Sequence, residues 1–158
     1  YWDGGYSANP AVFPLFWECA AADTLLVLLS PLHFGPAPTD AAGIRQRLQE
    51  IAFNNTFLRE MRMFAHLADE AGKLRRPWWL PRRISTGDLA DRVRGRRFHA
   101  LTTAAVLDTL PAGSRLTASR AFLHRLRDAG RAQAGTWLAG PAAAVGKRHG
   151  VDLAELFY

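Results

Sequence analysis

The apolar positions of this chain fall into short unbroken runs and long helical stripes. Leu25-Leu26-Val27-Leu28-Leu29 is a continuous apolar run, set off by Asp23-Thr24 before it and Ser30-Pro31 after it. A run of that length between polar breaks reads as a strand buried on both faces, as in a parallel sheet. Phe98 to Thr102 reads as a second strand. Between them Ile44, Leu48, Ile51, Leu58, Met61, Ala65 and Ala68 recur at helical spacing, the stripe of a long amphipathic helix over 41–71. Arg45, Arg47, Glu50, Arg59, Glu60 and Arg62 lie mostly off that stripe. Thr39 or Asp40 caps its start and Gly72 its end, and the polar Asn54-Asn55-Thr56 marks a break or a kink.

The remaining segments complete the pattern. Pro10 can open a short helix that extends over 18–22, since proline is tolerated in a first turn. Ala104 to Leu110 reads as helical up to Pro111. Thr117 or Ser119 caps a further helix over 120–139, with Phe122, Leu123, Leu126, Ala129, Ala134, Trp137 and Leu138 on its apolar face and Gly140-Pro141 as its stop. A short helix over 142–147 and a last, half-exposed one within 151–158 follow. Strand, helix and buried strand in alternation define an α/β protein, helix-rich with a few mostly parallel strands. The 158 residues suit one domain.

Charge changes the picture in one segment. Residues 73–97 carry nine Lys and Arg against Asp88 and Asp91, and Trp78-Trp79 sit between Pro77 and Pro81. This is a basic, insertion-like loop with a short helix near 88–93. Trp78 and Trp79 beside Arg75, Arg76, Arg82 and Arg83 suit an anionic phosphate or a membrane surface; the same composition also suits a solvated loop. The whole chain has 20 Lys and Arg against 14 Asp and Glu, a net charge of +6. No reading helix or motif accompanies that charge, so no nucleic-acid partner is expected.

The candidate chemistry is sparse. The single cysteine, Cys19, excludes an internal disulfide and a four-cysteine zinc site, and reads as a small core residue. His33, His66, His99, His124 and His149 form no His-Glu-x-x-His and no pair at metal spacing, so no metal or cofactor is expected. Gly-x-Ser-x-Gly, a Walker loop and Gly-x-Gly-x-x-Gly are all missing from these residues. No apolar run approaches a membrane span, and the absence of a disulfide and of a signal within these residues tilts the expectation towards the cytoplasm or the inner membrane face. One block stands out. Tyr1-Trp2-Asp3-Gly4-Gly5-Tyr6-Ser7-Ala8-Asn9-Pro10 places an aspartate before two glycines, where a sharp turn can hold a carboxylate at the end of a strand, pointing into a cleft; the same residues also suit an ordinary surface Asp-Gly turn.

That block resembles the Asp-Gly-Gly block of the bacterial patatin-like phospholipases. Four further blocks follow in the family's order: Asp23 to Leu28, Ile44 to Asn54 with its central Phe-Asn, Phe122 to Arg131 with Trp137-Leu138, and Val151-Asp152-Leu153. The resemblance implies a three-layer α/β/α hydrolase fold, of which residues 1–158 are the C-terminal portion of one catalytic domain, with 73–97 as an insertion. It implies a lipid acyl hydrolase with a serine–aspartate dyad and an acyl-ester or lipid substrate. Asp3 takes the role of base, and Gly4 and Gly5 shape its turn. The nucleophilic serine and the oxyanion loop are expected before Tyr1, so this piece alone is expected to be inactive. His99 and Ser114 read as structural. The alternative is a non-catalytic module that binds anionic lipid or a protein partner through 73–97.

Overall fold

The structure is a computed structural model, and it describes residues 4–32, 35–73, 88–103, 110, 114 and 117–158. Its elements run in the order α1 (Phe13–Glu18), β1 (Asp23–Leu28), α2 (Ala41–Lys73), α3 (Asp88–Arg94), β2 (Arg97–Thr102), α4 (Arg120–Ala139) and α5 (Leu153–Phe157). Short 3₁₀ turns stand at Gly4–Tyr6 and Pro141–Ala144. β1 and β2 pair in parallel, from Asp23 opposite Arg97 to Leu28 opposite Thr102. The chain is thus α/β, helix-rich, with a two-stranded parallel sheet among its described residues.

The C-terminal half of α2 is the spine of the core. Phe57, Met61, Phe64, Ala65 and Ala71 are buried there against Leu26 and Leu28 of β1, Phe98 of β2, Ala90 and Val93 of α3, and Leu153 and Phe157 of α5. Phe64 stacks at 4.8 Å on Phe16 and 5.9 Å on Phe98, and Phe57 meets Phe157 edge-on at 5.6 Å. These rings join four elements of low sequence proximity, and aromatic pairs at such spacing add to their area burial. Leu26 and Leu28 face this layer, but Leu25 is 43% exposed and Val27 54%. Among the described residues, the expected strand buried on both faces is therefore covered on one face only, by α2 with Val12 and Phe16.

α2 departs from expectation in three ways. It runs unbroken through Asn54-Asn55-Thr56, because Asn55 and Thr56 face solvent while Asn54 and Phe57 turn inward. It continues to Lys73, so Gly72 lies within the helix and is not its C-cap. Its first apolar positions, Ile44, Leu48 and Ile51, are exposed. The reason is length. Thirty-three residues span about 50 Å of helix, whereas six-residue strands span about 20 Å. The N-terminal half of α2 overhangs the carboxyl end of the sheet. Asp40 is its cap, accepting from Ala42 N–H at 3.0 Å and Gly43 N–H at 2.9 Å.

α1 is shifted from the expected 18–22 to 13–18. Pro14 sits in its first turn, where no N–H is needed. The residues after it are drawn into extended backbone by Arg96, whose guanidinium donates to the carbonyls of Phe16 and Cys19 at 2.7 Å each and to that of Ala21. Arg92 donates to Trp17 O at 3.1 Å and lies 5.2 Å over the Trp17 ring. At the other end Glu60 of α2 accepts from Val12 N–H at 2.9 Å and Phe13 N–H at 3.1 Å. A carboxylate at the N-terminus and guanidinium groups at the C-terminus match the helix dipole and satisfy its end groups.

α4 begins where the sequence placed it. The Ser119 hydroxyl accepts from Phe122 N–H at 3.3 Å, and the helix stops at Ala139 before Gly140-Pro141. It buries no residue completely. Its stripe of Phe122, Leu126, Ala129, Gln133 and Trp137 is half-buried. The short helix expected over 142–147 is a 3₁₀ turn at Pro141–Ala144, and α5 is buried through Leu153 and Phe157. The helix expected over 104–110 lies almost wholly outside the described residues.

Arg96→Met tests the clamp on α1. It strands three carbonyls at a side chain that is 8% exposed, so stability to urea should fall by about 2–4 kcal/mol. Arg127→Ala, which removes an exposed pair with Asp128, should cost less than about 1 kcal/mol. Equal effects of the two changes would refute the clamp.

Candidate functional site

Two clusters can be weighed as sites, and they lie at opposite ends of the sheet. The first is at the amino end. Asp23 accepts from Arg97 Nε at 2.9 Å and Nη2 at 2.7 Å, from His99 Nε2 at 2.8 Å and from Gly146 N–H at 3.0 Å. The Arg97 guanidinium is the main cause that holds the Asp23 carboxyl well below the usual range, with the Gly146 N–H and His99 adding to it. His99 is 1% exposed, and among the described residues its Nδ1 has no hydrogen-bond partner. Gly150 closes over it: a Cβ at that position would run into Nδ1. Gly146, with φ of +76°, makes the turn that brings its N–H to Asp23.

A His–Asp pair is acid–base equipment, but this one is shut. The arginine fixes the carboxylate in its charged form, and glycine backbone seals the ring. The arrangement ties β1, β2 and the 146–150 turn together, in keeping with a structural role for His99. Asp23 was legible only as a polar break ahead of the strand. The available signal was its register: an acid at the start of one strand and Arg-x-His at the start of the other become neighbours once the strands pair in parallel.

The second cluster is at the carboxyl end, where ligands bind in open parallel sheets. A cleft of about 560 Å³ opens there, within the size range of small-molecule sites. Leu29 and Ser30 follow β1 into it, and Thr103 follows β2. Thr103 ends the ladder by donating both its N–H and its hydroxyl to Leu28 O, at 3.1 and 3.0 Å. The overhanging part of α2 supplies Glu50 and Phe53, and α4 supplies Leu126, Ala129, Gly130 and Gln133. Asn9, from the Asp-Gly-Gly block, stands at the same cleft. The Glu50 carboxylate is mostly buried, accepts from Gln46 Nε2 at 3.0 Å and lies 3.8 Å from Arg47 Nε. The cleft is thus apolar in its walls, with amide, hydroxyl and carboxylate groups converging on it.

The expected site residues distribute as follows. Gly4 and Gly5 lie in the 3₁₀ turn, where Ser7 N–H and Ala8 N–H donate to Gly4 O at 2.9 and 3.1 Å. Asp3, Trp78, Trp79, Arg75, Arg76, Arg82 and Arg83 lie outside the described residues. Four other cations of the 73–97 segment are tied to the fold: Arg92 and Arg96 hold α1, Arg97 holds Asp23, and the exposed Arg94 donates to Ala71 O at 2.6 Å at the end of α2 and pairs with Asp91 at 3.2 Å. Cys19 is the C-cap of α1, not a residue within a helix. His66 meets the Tyr158 ring at 5.3 Å. Among the described residues no group of three or more His, Cys, Asp and Glu is placed to hold a metal ion, and no helix is long and apolar enough to cross a membrane.

Comparison with protein-family models, with curated proteins and with solved structures finds no match to this chain.

The Asp23 cluster generates a pH prediction. A folded-state pKa below the unfolded one stabilises the protein above the ordinary carboxylate range, and that contribution is lost as pH falls below about 4 toward the folded value. Asp40 acts in the same direction, its carboxyl held low mainly by the Gly43 N–H. Asp23→Asn should therefore flatten the loss of stability below pH 4, followed by urea midpoints across the acid range, and should lower the midpoint at neutral pH. An unchanged acid limb would show that Asp23 is not a source of it.

Proposed function

We propose that this chain is part of a lipid acyl hydrolase of the patatin type, in which Asp3 is the base of a serine–aspartate dyad. The observation that carries the reading is the cleft at the carboxyl end of the parallel strands, with Asn9 of the Asp-Gly-Gly block at its edge. Five residues lie between Asp3 and Asn9 in the sequence, and three of them form the 3₁₀ turn at Gly4–Tyr6. The turn is followed by α1, whose ends are held by Glu60 and Arg96. In this reading Asp3 takes the proton of a serine hydroxyl as the serine attacks an ester carbonyl, with backbone N–H groups stabilising the oxyanion.

In this reading the serine and the oxyanion loop come from outside residues 1–158, in keeping with the missing Gly-x-Ser-x-Gly. The exposed apolar face of β1, Leu25 and Val27 with Leu29 beyond the strand, suits a sheet that continues into further layers of an α/β/α domain. The reading as a lipid-binding module has less support. Arg92, Arg94, Arg96 and Arg97 serve the fold, so phosphate or membrane contact would rest on Arg75, Arg76, Arg82, Arg83, Trp78 and Trp79.

The test is hydrolysis of a chromogenic acyl ester by the longest product of this reading frame. Asp3→Asn should lower kcat by about 10²–10⁴-fold with little change in KM. A variant that keeps its rate within twofold of the parent would remove Asp3 from the mechanism.

A further inference from the structure

We propose that Ala129 and Gly130 of α4 set the length of the hydrocarbon chain that the carboxyl-end cleft accepts; this rests on the acyl-ester reading above. The α4 wall of the cleft is formed by positions 126, 129, 130 and 133, one face of two helical turns. Leu126 and Gln133 are long. Between them stand the two smallest residues of the wall. Gly130 is exposed, and a Cβ added there would meet nothing within 4 Å, so the cleft opens to solvent on that side of the helix. Ala129 is half-buried and carries a single methyl group toward the same cleft. Facing this gap, Phe53 and Leu29 keep the surroundings apolar.

The α4 wall is therefore lowest at 129 and 130, a notch between Leu126 and Gln133. An extended apolar chain is the ligand such a notch suits, because each methylene it buries strengthens binding about fourfold. A larger residue at 129 or 130 takes the volume that the distal methylenes would occupy. It should leave short chains unaffected. Because α4 buries no residue completely, a leucine at either position stays out of the packed core; it gains helix propensity at 130 and gives up little at 129, so the variants should fold.

The experiment compares the longest product of the reading frame with its Ala129→Leu and Gly130→Leu variants on 4-nitrophenyl esters from butanoate to hexadecanoate. The expected result is a loss in kcat/KM on hexadecanoate on the order of tenfold or more, with butanoate within about twofold of the parent. Equal loss at all chain lengths, or no change in the profile, would overturn the assignment. A second arm needs no turnover. Binding of the methyl ester of a fluorescent polyene fatty acid is titrated on the same three proteins, with thermal melting as the folding control. Weaker binding by both variants at unchanged melting supports the notch, and equal binding refutes it. If the parent hydrolyses no ester, the hydrolase reading fails, and this arm still decides the cleft. Should one leucine variant melt early, the other carries the comparison.

Discussion

Arg96 is the interaction on which the rest of this structure depends. A six-residue helix has no stability of its own, since nucleation costs more than so few hydrogen bonds return. α1 persists because a buried guanidinium holds three carbonyls at and beyond its C-terminus, while Glu60 holds two N–H groups at its start. The same arginine leads directly into β2, so one side chain fixes α1, the approach to β1 and the start of the second strand relative to one another. Its stem lies against Phe16, with the guanidinium 5.7 Å over that ring, and Phe16 in turn packs on Phe64 of α2. Polar clamp and aromatic core are thereby one construction.

The two ends of the sheet have opposite characters. At the amino end, Asp23, Arg97, His99 and the Gly146–Gly150 turn form a closed polar clasp around the buried imidazole. At the carboxyl end the strands stop at Leu28 and Thr102, α2 continues past them, and α4 stands off far enough to leave a cleft. Helix length sets this difference. A shorter α2 would cover the sheet and end; the overhang carries Glu50 and Phe53 out to form a wall.

Much of the element order was legible in the residues themselves. Ser119 and Gly140-Pro141 bound α4 by local chemistry, and Asp40 caps α2 in the same way. The features that were not legible depend on partners far along the chain. Nothing near Arg96 in sequence indicates that it reaches residues some 75–80 positions earlier, and the arginines of 92–97 looked like part of a solvated loop. Ile44, Leu48 and Ile51 keep helical spacing but stay exposed, because spacing reports a helical face and not whether a sheet lies beneath it. Leu25 to Leu29 reads as buried on both faces from composition alone, and here only the α2 side is covered. For the candidate site, the Asp-Gly-Gly block was visible at once, whereas the cleft beside it depends on how α2 and α4 diverge.

The central claim is a serine–aspartate dyad completed by Asp3, and covalent labelling addresses it most directly. The longest product of the reading frame is treated with an alkyl fluorophosphonate, which loses fluoride as it forms a phosphonate ester on an activated serine, and the modified residue is located by peptide mass. The account predicts one labelled serine, in a Gly-x-Ser-x-Gly sequence outside these 158 residues, with labelling slowed about a hundredfold by Asp3→Asn. Labelling of Ser7, Ser30 or any other serine of this chain, or a labelling rate indifferent to Asp3, would contradict it.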